Sequence, residues 1–291
     1  MKVKRALEDF GYRSAYGLAY VLSLAPMSLL YGIATLAFIL AYYMPGYRKA
    51  VAVQNVARSF PDMRYGEVIG IVRKFYRCFT AYLAEILKSI SAPAAVLGKR
   101  MVFENTELIS AHLNAGTNVI ICLGHCGNWE MLSLMPYKLG LEMYAVYKPL
   151  RSQAINKLMM KLRSRFGMKL IPDKHVTRHI LSRGPAPGVY LFLADQCPSV
   201  GDDKIRLDLL GQPTYVISGM ERLARQSGSA VVFLHVTQLS KGYYKVRCLP
   251  VCAQAQCTNK GEITSKYISL LENNILAEPY GWLWTHKRWK R

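Results

Sequence analysis

Acidic residues are scarce in this chain of 291 residues: 18 Asp plus Glu stand against 38 Lys plus Arg, a formal net charge of +20. That deficit predicts attraction to phosphates, anionic lipid surfaces or acidic proteins, and charge alone does not choose among them. Cys-x-x-Cys spacing is also missing. The seven cysteines, at 78, 122, 126, 197, 248, 252 and 257, form no Cys-x-x-Cys pair. Their odd number and scatter argue against a disulfide framework or a zinc site, and a reduced, cytosol-facing protein with no metal is expected. There is no internal repeat or low-complexity tract, and a hydrophobic content of 52% excludes a disordered chain and suffices for a large core.

Charge is absent altogether between Arg13 and Arg48. Within that span Ala15 to Met44 is rich in Leu, Ala, Ile and Tyr, long enough for the roughly 20 apolar residues that cross a bilayer. Pro26 interrupts the run, which predicts either one kinked spanning helix or two shorter helices lying in one leaflet. Basic residues flank both ends, so orientation stays open. No small-residue cleavage site follows, against a signal peptide. A buried helical hairpin is the competing reading. We therefore divide the chain into an N-terminal membrane anchor, 1–46, and an α/β domain, 47–291, whose first part, 47–97, is helical and membrane-proximal.

Beyond residue 97 apolar runs alternate with helical patterns. Expected strands are Asn118–Leu123, Met143–Tyr147, Gly188–Leu193, Ala230–Val236 and Tyr243–Cys248, with helices around 129–139, 152–166, 174–183, 216–227 and 262–276. Such alternation predicts an α/β fold with a mixed, largely parallel sheet flanked by helices.

Chemistry in such sheets gathers at the carboxyl ends of strands. The first expected strand runs into Gly124-His125-Cys126-Gly127-Asn128-Trp129-Glu130. A histidine in a glycine-flanked loop and a carboxylate on the helix that follows could form a general base and its orienter. With one ring nitrogen held by Glu130, the other can take a proton from an attacking hydroxyl, so direct acyl transfer to an alcohol needs no nucleophilic Ser or Cys. Capping explains part of the same pattern, since Asn128 is a good N-cap and Glu130 suits the positive end of a helix. Cys126 is expected to pack. Lys148 follows the second strand and Asp195-Gln196 the third, where an Asp is costly unless hydrated or paired. Arg163 and Arg165, on the intervening helix, suit bidentate contact with oxyanions or form a solvated basic face. We assign His125 and Glu130 to catalysis, and Asn128, Lys148, Arg163, Asp195 and Gln196 to substrate binding, with backbone N–H groups and Asn128 as oxyanion donors. Leu210-Gly211-Gln212-Pro213-Thr214 reads as a turn shaping the cleft.

The terminal Trp282-Leu283-Trp284-Thr285-His286-Lys287-Arg288-Trp289-Lys290-Arg291 alternates aromatic and cationic groups and reads as a second membrane contact. No nucleic-acid module accompanies it, so nucleic acid is not expected as a partner.

These blocks, with Asn55-Val56-Ala57-Arg58-Ser59-Phe60-Pro61 and Tyr147-Lys148-Pro149, resemble the bacterial lipid A biosynthesis acyltransferases, within the wider glycerolipid acyltransferase superfamily. The resemblance covers nearly the whole chain. It implies a glycerolipid acyltransferase-like fold, a His–acid catalytic dyad, a lipid A precursor as acceptor, an acyl carrier protein thioester as donor, no cofactor, and a place at the cytoplasmic face of the inner membrane. Cys126 departs from the family pattern, where an aromatic or aliphatic residue is expected. Relatives that acylate ornithine, glycine or glycolipid acceptors share the pattern, and a non-catalytic basic protein binding membrane or nucleic acid is the rival from another class.

Overall fold

The computed structural model describes residues 2–44, 47–182, 184, 186–199 and 201–289, with side chains from residue 11 onward. Five helices precede the first strand: α1 (Lys2–Leu24), α2 (Met27–Tyr43), α3 (Lys49–Ser59), α4 (Tyr65–Lys88) and α5 (Ala94–Gly98). Strands and helices then alternate through β1 (Met101–Glu104), α6 (Glu107–Asn114), β2 (Val119–Leu123), a 3₁₀ segment (Trp129–Leu134) leading into α7 (Met135–Leu139), β3 (Met143–Tyr147), α8 (Gln153–Ser164), β4 (Lys169–Pro172), α9 (Val176–Ser182) and β5 (Val189–Leu193). A hairpin of β6 (Lys204–Leu209) and β7 (Gln212–Ile217) leads to α10 (Gly219–Ser227), β8 (Ala230–Ser240), β9 (Tyr243–Cys252) and α11 (Glu262–Ala277).

The main sheet has seven strands in the order β1-β9-β8-β2-β5-β3-β4, parallel at every pairing except the antiparallel β8–β9. The expected α/β class with a largely parallel sheet holds. β2 lies between β5 and β8, and α6 and α11 pack on it, so all five of its residues are buried. Central parallel strands read as continuous apolar runs for this reason, and all five of the expected strands are present. The structure adds the two sheet edges, β1 and β4, and the β6–β7 hairpin. The hairpin turns through Leu210 and Gly211, both at positive φ (53° and 69°), as a two-residue type I′ loop requires. Gln212 to Thr214, expected in the turn, belong to β7.

At the N-terminus Pro26 divides the uncharged run, and the chain bends by 120° between the helices on either side. Leu30, Ala34, Phe38 and Tyr42, at every fourth position of α2, are buried, and α2 packs on α4. The opposite positions, Leu29, Ile33, Leu36 and Leu40, are exposed, as are Leu18, Val21 and Leu24 of α1. Among the described residues no single helix is long and apolar enough to cross a membrane; only the bent pair together passes on length and composition. Phe38 and Tyr42 belong to the same core as the sheet.

Candidate active site

His125, Lys148 and Asp195-Gln196 lie just beyond the carboxyl ends of β2, β3 and β5, and the order β2-β5-β3 makes these three strands adjacent. A cleft of about 400 Å³ opens there, lined by His125, Glu130, Lys148, Arg151, Arg163 and Gln196 together with apolar residues such as Trp129, Leu132, Val146 and Leu193.

Asp195, not Glu130, holds the histidine. Its Oδ1 lies 2.6 Å from His125 Nδ1, and its Oδ2 accepts from the His125 backbone N–H at 2.8 Å and from Trp282 Nε1 at 2.8 Å. Burial would raise the Asp195 carboxyl, but the charge and hydrogen bonds of His125, with Trp282, more than offset it and hold the carboxyl well below its ordinary value. On the other side of the ring, Gln196 Nε2 lies 3.3 Å from His125 Nε2. A donor there matches a neutral imidazole with its proton on Nδ1, the tautomer a general base needs. Trp129 packs edge-on against the imidazole, ring centroids 4.9 Å apart.

The loop geometry separates Glu130 from the ring. Gly127 turns the chain at φ 57°, its N–H donates to Gly281 O at 2.9 Å, and the 3₁₀ segment from Trp129 carries Glu130 toward α8. There Arg163 Nε and Nη2 donate to Glu130 Oε2 and Oε1 at 2.8 and 2.5 Å, a bidentate pair that occupies both carboxylate oxygens. Among the described residues no hydrogen bond joins Glu130 to His125. Arg163, expected to grip a substrate oxyanion, is thus tied to Glu130 on the cleft wall. Gly124 is equally constrained, because a Cβ there would run into Leu271 and stand 3.3 Å from Asp195 Oδ2.

Other expected site residues are placed differently. Asn128 makes no capping bond; it is 1% exposed, does not line the cleft, and gives its amide to Glu85 Oε2 at 2.8 Å, which removes it as an oxyanion donor. Lys148 is exposed at the cleft mouth and donates to Ser199 Oγ at 3.1 Å. Arg165 donates to the carbonyls of Ser89 and Ala92, a structural role. Cys126 is buried, and burial pushes its thiol well above the ordinary value, so it packs as expected. All seven cysteines are free thiols.

The described part of the C-terminal tail is not a surface contact. Trp282, Trp284 and Arg288 are 2%, 0% and 2% exposed. Trp282 supports Asp195, and Trp289 Nε1 donates to Thr214 Oγ1 of the hairpin at 2.7 Å. Asn55 Nδ2 donates to the carbonyls of Trp284 and His286 at 2.9 and 2.8 Å, locking the tail beneath α3. Alternation of aromatic and basic residues does not report burial, and here the rings fill the core behind the Asp195 carboxylate. Lys290 and Arg291 lie outside the described residues. Reading the sequence placed Trp282 at a membrane surface and missed its hydrogen bond to Asp195.

A family model described as bacterial lipid A biosynthesis acyltransferase matches residues 6–291, the whole of the cleft and its supports. The chain belongs to this family. Among curated relatives of the acyltransferase family member is the phosphatidylinositol mannoside acyltransferase of Mycobacterium tuberculosis (strain CDC 1551 / Oshkosh), 21% identical over 194 residues, which are 65% of this chain and 60% of the relative. The phosphatidylinositol mannoside acyltransferase of Mycolicibacterium smegmatis is 20% identical over 232 residues, 75% of this chain and 72% of the relative. The chain thus spans about 60% of the length of the M. tuberculosis protein.

Proposed function

We propose that this chain is an O-acyltransferase that moves a fatty acyl group from a thioester, carried on acyl carrier protein, to a hydroxyl of an anionic lipid acceptor. The observation that carries the reading is an imidazole lining the cleft with Nδ1 fixed by a buried carboxylate and Nε2 beside the cleft-lining Gln196. His125 Nε2 takes the hydroxyl proton as the acceptor oxygen attacks the thioester carbonyl; the C–S bond then breaks and the thiolate leaves with that proton. Asp195 fixes the tautomer and stabilises the imidazolium. Glu130 positions Arg163 on the cleft wall, where Lys148 and Arg151 add positive charge suited to phosphate on either substrate.

Within that class we favour a lipid A precursor as acceptor, in keeping with the family. The names of the curated relatives support a second reading, a phosphatidylinositol mannoside-type glycolipid. Mass spectrometry of lipids from deletion and complemented strains separates them: loss of an acyl chain from lipid A supports the first, and an unchanged lipid A with an underacylated glycolipid supports the second.

We further propose that the exposed apolar face of α1 and α2 lies in one leaflet, at the cytoplasmic face of the inner membrane, with the cleft open to a lipid acceptor there.

A further inference from the structure

Among the described residues a second cavity, of about 790 Å³, opens between α2, α4 and the β8–β9 turn. It shares no lining residue with the catalytic cleft. Ala34, Phe38, Ile39 and Ala81 give it an apolar floor, whereas Arg73, Lys74 and Arg77 of α4 and Lys241 of the turn supply four cations. No carboxylate lines it, and among the described residues none of the four cations is in a salt bridge.

Aromatic rings hold three of these cations in place. Lys74 Nζ lies 3.5 Å from the Tyr280 ring centroid, Lys241 Nζ 4.0 Å from that of Tyr31, and Arg77 Cζ 5.2 Å from that of Phe38. Such contacts use no hydrogen-bond acceptor, so the donors keep their capacity for an anion. Glu278, whose carboxyl feels the charge of Lys74, does not line the groove and accepts from the Gln238 backbone N–H and the Tyr280 hydroxyl. Ile39 joins the groove to Leu36, Leu40 and Tyr43 of α2, whose side chains are exposed.

We propose that this groove binds one anionic membrane phospholipid, its phosphate among Arg73, Lys74, Arg77 and Lys241 and part of a fatty chain along Ala34, Phe38 and Ile39. The volume is within the roughly 300–1,000 Å³ of small-molecule sites, room for a headgroup and part of a chain. Unbalanced positive charge selects an anion, and the apolar floor continuous with α2 selects a lipid over a soluble phosphate. This site stands or falls separately from acyl transfer at His125.

The test is titration of the full chain in detergent, by native mass spectrometry and calorimetry, with dihexanoyl-phosphatidylglycerol, dihexanoyl-phosphatidylcholine and glycerol phosphate. One phosphatidylglycerol should bind per chain, and the other two should bind at least about tenfold more weakly, the scale of losing one charge-assisted contact or the apolar contact. The double variant Arg73→Gln/Arg77→Gln should lose about tenfold or more. Thr35→Trp, which fills the groove from an exposed position and keeps the charge, should lose as much. Lys99→Gln/Arg206→Gln removes equal charge from exposed positions outside the groove and should change binding less than about twofold. Equal affinity for phosphatidylcholine or for glycerol phosphate would overturn the proposal. So would binding that survives Thr35→Trp, or that falls equally in the surface control.

Discussion

Asp195 grips His125 at two points, accepting from the ring through Oδ1 at 2.6 Å and from the backbone N–H through Oδ2 at 2.8 Å. One buried carboxylate therefore fixes both the position of the loop and the rotation of the imidazole. The two residues come from β2 and β5, whose pairing in register from Val119 to Leu123 brings their carboxyl ends together.

The lowered Asp195 pKa has a consequence for acid stability. The unfolded chain takes up this proton near the ordinary value of 3.8, whereas the folded chain does so only at lower pH, so the carboxylate stabilises the fold above 3.8 and that contribution drains away below it. Urea unfolding from pH 7 to 3 should show a steeper acid loss in the native chain than in Asp195→Asn. Parallel curves would mean that Asp195 does not carry this stabilisation.

Glu85 should act with the opposite sign. It is 3% exposed, accepts from Tyr244 OH at 2.6 Å, Asn128 Nδ2 at 2.8 Å and Tyr31 OH at 3.0 Å, and burial raises its carboxyl against these hydrogen bonds. A raised folded value makes stability fall as pH climbs from 4.5 through that value. Glu85→Gln should flatten this decline. Glu85→Ala orphans three donors, each worth about 1–3 kcal/mol, and should cost about 3 kcal/mol or more in urea unfolding. A loss under about 1 kcal/mol would show that the network is replaced by water.

Glu130 and Arg163 should behave as one unit. Their side chains are 12% and 29% exposed, so removing either leaves a partly buried charge without its partner. In a double-mutant cycle, Glu130→Gln and Arg163→Gln should show a coupling of about 0.5–3 kcal/mol in stability. Arg163→Lys keeps the charge, loses the planar fork and should raise KM. Additive stabilities and unchanged kinetics would reduce the pair to a surface contact.

The apolar hairpin is better tested by substitution than by deletion, because removing α2 would uncover α4. Replacing the exposed Leu29, Ile33 and Leu36 with Gln should shift the protein from the membrane pellet toward the supernatant, leaving weaker, salt-sensitive binding through its basic surface. Unchanged partition in high salt would contradict insertion through this face.

How much of this was legible follows from burial. The central strands declared themselves as apolar runs, and the rule of strand carboxyl ends brought His125, Lys148 and Asp195-Gln196 to one place. The edge strands β1 and β4 are four residues each and border charged residues, so no run stands out. Pro213 hid β7, although Lys-Ile-Arg-Leu-Asp-Leu of β6 alternates plainly. The partner of His125 was not legible. Glu130 is five positions away and Asp195 seventy, but proximity in sequence yields to the β2–β5 pairing and to the turn at Gly127. The tail misled for a related reason, since tryptophan serves a buried scaffold and a membrane interface equally well.

The proposed role of His125, held by Asp195, as general base is tested by the turnover of His125→Ala, Asp195→Asn and Glu130→Gln on an acyl thioester and the acceptor identified by lipid profiling. Circular dichroism and unfolding midpoints would first establish that each variant is folded. His125→Ala and Asp195→Asn should each lower kcat by about 10²–10⁴-fold, the range for losing a positioned base or its orienter, with Glu130→Gln affected less than Asp195→Asn. Near-native turnover in folded Asp195→Asn with collapse in Glu130→Gln would contradict the account and make Glu130 the partner of His125.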